Sequence, residues 1–137
     1  DELDDFIIGS SGATPNGGAA AAGESYVVFG SDSVFAPTLN LTALNGANGF
    51  KLNGIDSIDV SGQSVSGAGD VNNDGFDDLI IGAEFGDPNG ANNAGETYVV
   101  FGGNFASRST VADLESDSFG SFDFGAARHY EPGFRRR

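Results

Sequence analysis

The stretch Gly23-Glu24-Ser25-Tyr26-Val27-Val28-Phe29-Gly30 returns almost unchanged as Gly95-Glu96-Thr97-Tyr98-Val99-Val100-Phe101-Gly102, and this recurrence decides the fold. Each copy is a short β-branched and aromatic run closed by Gly. Branched side chains lose rotamer freedom in a helical turn and pack well on a pleated surface, so the run favours extended backbone. Two further blocks repeat in the same order. Asp4-Asp5-Phe6-Ile7-Ile8-Gly9 returns as Asp77-Asp78-Leu79-Ile80-Ile81-Gly82, and Pro15-Asn16-Gly17 returns as Pro88-Asn89-Gly90. The offset of 73 residues becomes 72 after a single length change in a Gly/Ala/Asn stretch. Matched blocks in register define an internal repeat.

Working outward, residues 49–54 and 63–68 read as two more strands, each bounded by Gly. Asn-Gly and Asp-Gly pairs at Asn16-Gly17, Asn45-Gly46, Asn48-Gly49, Asn53-Gly54, Asp74-Gly75 and Asn89-Gly90 supply turns, because both residue types tolerate left-handed backbone. No long window shows a helical period. One unit therefore holds about four strands, and the expected fold is all-β. It consists of antiparallel four-stranded blades forming a partial β-propeller of about one and a half to two blades. Residues 1–60 read as the remainder of a first blade and 61–103 as the start of a second, with a loop at 70–78. Residues 104–137 form a divergent tail, in which 118–124 is the expected replacement strand and 131–137 a frayed end. A propeller closes only with several blades, so the sequence reads as a piece of a longer protein, and the absence of Met fits that reading.

The chain has 137 residues, no Cys, and 20 acidic against 6 basic residues, for a net charge of −14. That balance argues against nucleic acid and anionic membrane surfaces as partners. No apolar run is long enough to span a bilayer as a helix, so membrane insertion is not expected. Without Cys there is neither a disulfide framework nor a thiolate zinc site. The charge is uneven. Fifteen of the acidic residues lie in 1–107, beside a single basic residue, Lys51.

Part of this acidity is grouped. In Asp70-Val71-Asn72-Asn73-Asp74-Gly75-Phe76-Asp77-Asp78, oxygen side chains occupy loop positions 1, 3, 5 and 9, and Gly75 occupies position 6. Ca²⁺ takes six to eight hard oxygen ligands, and alternate side chains on a tightly curled loop converge. The Gly permits the sharp turn that lets the Phe76 carbonyl face inward. The expected ligands are thus Asp70, Asn72, Asp74, Phe76 through its carbonyl, and Asp78. Magnesium suits the loop less, since it retains water and prefers one or two carboxylates. An EF-hand needs Glu at position 12 and flanking helices, whereas this sequence has Ile81 within a strand.

The segment running from Ser64-Val65-Ser66-Gly67-Ala68-Gly69-Asp70 through Asp78-Leu79-Ile80-Ile81-Gly82-Ala83 and on to Gly95–Gly102 resembles an FG-GAP repeat. Such repeats build the seven-bladed propeller of integrin α-subunits and occur in many bacterial secreted or surface proteins. The resemblance covers residues 1–102 and implies Ca²⁺ held by Asp70, Asn72, Asp74, the Phe76 carbonyl and Asp78, between a blade's first two strands. The sequence departs from the pattern in places. The Phe-Gly that names the repeat is Ser61-Gly62, its Gly-Ala-Pro is Gly82-Ala83-Glu84, and the first copy begins at Asp1, part-way through its loop. Asp1 and Asp5 read as relics of a site that this chain cannot complete.

The other candidates are weaker. Asp77 and Asp78 are adjacent, so strand alternation points them to opposite faces and they form no catalytic dyad. His129, the sole His, reads as a surface residue, and no Ser sits in a nucleophile-elbow pattern. Asn40-Leu41-Thr42 is a glycosylation sequon. The expected function is a calcium-binding adhesion scaffold, extracellular or at the cell surface. Its expected partners are the remaining blades of a parent chain and an extracellular protein or glycan ligand. No enzymatic activity is expected of these residues. The alternatives are accessory blades of a secreted hydrolase, or a non-functional truncated repeat.

Overall fold

The computed structural model describes residues 3–33, 37–103, 111–113 and 128–129. Its strands are β1 (Phe6–Ser10), β2 (Glu24–Val28), β3 (Gly49–Asn53), β4 (Ser64–Gly69), β5 (Asp78–Ala83), β6 (Glu96–Val100), β7 (Val111–Asp113) and β8 (Arg128–His129). The repeated blocks become repeated structure. Phe6 pairs with Val28 and Ser10 with Glu24 across β1 and β2, and Leu79 pairs with Val100 and Ala83 with Glu96 across β5 and β6. Both hairpins pass through a short 3₁₀ turn opened by proline, Pro15–Gly17 in one and Pro88–Gly90 in the other. Proline fits there because its fixed φ suits the first helical position and its missing N–H is not needed.

The expected four-stranded antiparallel blade is only partly realised. β1, β2 and β3 form an antiparallel three-stranded sheet, as do β4, β5 and β6. Short tail segments extend both sheets. β7 runs parallel to β3, and β8 pairs antiparallel with β6, where repetition expects the fourth strand. Among the described residues the sheets do not close into a propeller. The expected replacement strand at 118–124 and the frayed end at 131–137 lie outside the described residues.

One core joins the sheets. Val27, Phe50 and Leu52 of the first sheet pack with Ile81, Ala83, Tyr98 and Val100 of the second, flanked by Ile7, Val65 and Leu79. These positions alternate along their strands, so each sheet gives one face to the contact. Phe29 and Phe50 meet with ring centroids 5.9 Å apart, a tilted pair that keeps ring edges against ring faces.

The crossover from β3 to β4 is laced to the first sheet's loop. The N–H groups of Ile58, Val60 and Ser61 donate to the carbonyls of Ala20, Ala21 and Ala22 at 2.9, 3.1 and 3.0 Å. This lacing holds Ile58 and Val60 at φ of 75° and 50°, a region that β-branched residues avoid. Gly23, at φ of 88°, faces the Ser61 backbone with no space for a side chain. Gly62 N–H then reaches the Gly82 carbonyl at 3.0 Å, which starts the second sheet.

Candidate metal centre

The loop between β4 and β5 is built around Asp70. Its carboxylate accepts from the backbone N–H of Asp74 at 3.0 Å through Oδ1 and of Gly75 at 2.9 Å through Oδ2. Asn72 Oδ1 also accepts from Asp74 N–H at 2.9 Å, and Asp74 Oδ1 accepts from Phe76 N–H at 2.9 Å. A short Asx residue binding backbone two to five residues ahead curls the chain inward. Two residues with left-handed backbone complete the curl: Asn73 at φ of 61° and Gly75 at 91°. Gly75 therefore occupies the backbone conformation that its loop position demanded.

Asp78 behaves differently from the other three. It is fully buried, while Asp70, Asn72 and Asp74 are exposed. Its Oδ2 accepts from Val71 N–H and its Oδ1 from Gly102 N–H, both at 2.8 Å. It thus ties the loop's start to the end of β6. The first repeat keeps half of this clamp: Asp5 Oδ1 accepts from Gly30 N–H at 2.8 Å. Asp5 matches Asp78 and Gly30 matches Gly102 in the repeat, so in both copies a strand-mouth carboxylate fastens the end of the neighbouring strand. Asp1 lies outside the described residues. Asp77 is exposed beside buried Asp78, as alternation requires.

The donor set suits a hard cation, offering exposed carboxylate and amide oxygens on one curled turn with no soft ligand nearby. Each carboxylate accepts one or two N–H bonds in the loop and retains lone pairs. Among the described residues, however, no three Asp, Glu or His side chains gather closely enough to hold a metal as they stand. Instead, Asn72 Nδ2 donates to Asp74 Oδ2 at 2.6 Å, filling with a proton donor the place beside Asp74 that a cation would take. Phe76 contributes its N–H to the loop and leaves its ring half-exposed.

A second acidic group was not legible from spacing. Asp59, on the crossover, is 5% exposed, and Asp56, Asp87 and Glu96 surround it electrostatically. Burial first, and then these like charges, push its carboxyl up from 3.8 to about 6. A folded-state value above the unfolded one means that the proton binds the folded chain more tightly. The resulting stability is fully present below pH 3.8 and is lost as pH rises through about 6. Lowering the pH from 7 to 5 should therefore raise the melting temperature, by an amount corresponding to about 1–2 kcal/mol. Glu24, which burial pushes up but Lys51 and Tyr26 draw below the usual carboxylate range, opposes this only at lower pH. Thermal melts of Asp59→Asn should lose the rise between pH 7 and 5, and an unchanged pH profile in that variant would rule out Asp59 as its origin.

Each repeat also carries a Tyr–Glu pair. The Tyr26 hydroxyl donates to Glu24, and Tyr98 donates to Glu96 at 2.6 Å. Lys51 Nζ adds an ion pair to Glu24 at 2.8 Å. Both tyrosines are driven upward by burial and the adjoining carboxylate, Tyr26 to about 12. These hydroxyls are therefore donors at any ordinary pH. Asn40 is exposed, its Oδ1 accepting from Thr42 N–H at 3.0 Å and Thr42 Oγ1 at 2.8 Å. The side chain of His129 lies outside the described residues.

With this geometry in place, comparison with known families assigns the second sheet. The FG-GAP repeat family matches residues 61–100, consistent with an FG-GAP repeat protein. The match begins at Ser61-Gly62, spans the whole 70–78 loop and ends with β6. Curated proteins yield no match to the chain. No helix among the described residues is long and apolar enough to cross a membrane.

Proposed function

We propose that this chain is a calcium-stabilised stretch of FG-GAP-type β-propeller, acting as a binding or adhesion scaffold in an extracellular or surface-exposed protein. Propeller blades of this kind are in general non-catalytic, and the role proposed for Ca²⁺ is structural. It would be held by Asp70, Asn72, Asp74, the Phe76 carbonyl and Asp78, neutralising carboxylates that otherwise repel. The observation carrying this reading is the loop's conformation: Asp70 gathers two backbone N–H groups, and oxygen side chains recur at alternate positions around Gly75. A cation held there would replace the Asn72–Asp74 contact and offset the charge of Asp70, Asp74 and Asp78. The remaining blades of a longer parent, and a protein or glycan ligand, are the partners this reading supplies.

Calorimetry of the 137-residue chain with Ca²⁺ and Mg²⁺ tests it. Ca²⁺ should bind more tightly than Mg²⁺. At ~100-fold excess over Kd it should stabilise the fold by about 2.7 kcal/mol. Asp74→Ala should abolish both effects while leaving the circular dichroism spectrum in chelator unchanged. Absence of Ca²⁺ heat from the folded wild-type chain would sink the proposal.

A further inference from the structure

Gly67 lies inside β4, yet its backbone lacks the positive φ that explains Gly69 and Gly75. Its cross-strand partner is Leu79, so a side chain at 67 would stand on the same face as Leu79, toward the first sheet. A Cβ placed there would meet no atom within 4 Å. The strand also bulges just beyond it, between Gly67 and Gly69. Glycine inside a strand marks places where a ligand comes close to the backbone, and bulges recur beside binding sites. The space that Gly67 leaves open belongs to a cavity of about 240 Å³ between the two sheets. Its walls come in matched pairs from the two repeats. Phe29 and its equivalent Phe101, and Leu79 and its equivalent Phe6, supply apolar surface beside Phe50. Asp4-Asp5 from one repeat and Asp77-Asp78 from the other supply carboxylates, and no basic side chain lines the cavity. Asp78 holds two backbone N–H groups and Asp5 holds one, whereas Asp4 and Asp77 are exposed.

We propose that this cavity binds a small organic cation, an ammonium group carried on a compact apolar body. The body lies against Phe29, Phe50 and Leu79, in the space over Gly67, and the ammonium group meets the carboxylates of Asp4 and Asp77. Size sets the class of ligand. An apolar cavity of about 150 Å³ holds benzene, so this one takes a ring with a short chain, about ten non-hydrogen atoms in all. Charge sets the sign. Carboxylates from both sheets, in a chain of net charge −14, attract a cation and repel an anion. Aromatic walls add to the attraction for an ammonium group and give a bare metal ion no ligand, so the apolar body is required. The inference does not rest on calcium, since Gly67, Asp4 and Asp77 are not among the residues proposed to hold it.

Calorimetry of the 137-residue chain in chelator, with phenethylammonium as the ligand, provides the test. One equivalent should bind. Its neutral counterpart 2-phenylethanol should bind about tenfold more weakly, and phenylacetate and methylammonium should give no heat. Gly67→Val fills the cavity from its own strand and should abolish binding. The same change should raise the melting temperature, because valine suits a strand and buries its methyl groups there. Asp4→Asn combined with Asp77→Asn should bring phenethylammonium down to the affinity of 2-phenylethanol. Circular dichroism checks that each variant folds, and Gly67→Ala, which should weaken binding, replaces Gly67→Val if the latter does not. A wild-type chain that gives no heat with phenethylammonium overturns the proposal. So do equal affinities for the cation and the alcohol, methylammonium binding as tightly as phenethylammonium, and a folded Gly67→Val chain that binds as wild type does. Calcium titrations are read separately on the ligand-free chain, so failure of either reading leaves the other in place.

Discussion

Gly9→Ala should destabilise the chain by about 3 kcal/mol, whereas Gly82→Ala, at the equivalent place in the next repeat, should cost about 1 kcal/mol or less. Neither glycine has the positive φ that would make any side chain strained. The difference lies in what a Cβ would meet. At Gly9 it runs into the carbonyl of Gly62, with the carbonyl carbon at 3.0 Å and a Val65 methyl at 3.3 Å. Gly62 cannot retreat easily, since its own N–H is bonded to Gly82 across the second sheet. The added methyl therefore pries the backbones of Gly9 and Gly62 apart. At Gly82 the first atom met is Ser64 Oγ, the end of a side chain that can rotate, and Ser64 is exposed. Urea midpoints of the two variants measure the contrast. Equal losses would mean that the sheets are not in contact at Gly9 and Gly62.

Asp78→Ala should cost about 3 kcal/mol, because one buried carboxylate serves two N–H groups and charge-assisted bonds are the stronger kind. Truncation leaves a small void and strips Val71 and Gly102 of their acceptors. Asp78→Asn retains one acceptor oxygen and should lose about half as much. Asp5→Ala, at an exposed residue bonded among the described residues to Gly30, should lose about 1 kcal/mol. This series is best measured in chelator. Under those conditions Asp74→Ala should be nearly silent, since its bonds lie in an exposed loop, while the Asp78→Ala loss should persist in full. If the Asp78→Ala loss appeared only with calcium present, the clamp to Gly102 would not be the source of stability.

The repeated blocks announced both hairpins and their common register, because alternating branched residues, Gly closures and Pro-Asn-Gly turns are local signals. Gly75 and the alternate oxygens of the loop were equally readable. The direction of Asp78 was not. Spacing says that its carboxylate can reach the loop, but its second bond goes to Gly102, which only the pairing of β5 with β6 brings near. Asp59 was invisible for a similar reason, since Asp87 and Glu96 come to it from beyond β5 and join its neighbour Asp56. The tail resisted reading because β7 and β8 are too short to show a period, and because nothing local specifies a parallel partner. Ser61, standing where the repeat's name expects Phe, turns out to be 2% exposed, against backbone at Gly23 and Gly54. A larger side chain has no space there.

The pairing of Lys51 with Val111 has a kinetic consequence. β7 follows β4, β5 and β6 in the chain, yet it extends the edge of the first sheet. A chain folding from its N-terminus can form both three-stranded sheets early, since their pairings are between sequence neighbours. The outer edge of β3 must then wait, with its backbone groups unpaired, until the tail arrives across a long loop closure. Refolding should accordingly show a fast phase for the two sheets and a slower one for the edge. During that interval the outer edge of β3 is open to pairing with a neighbouring molecule.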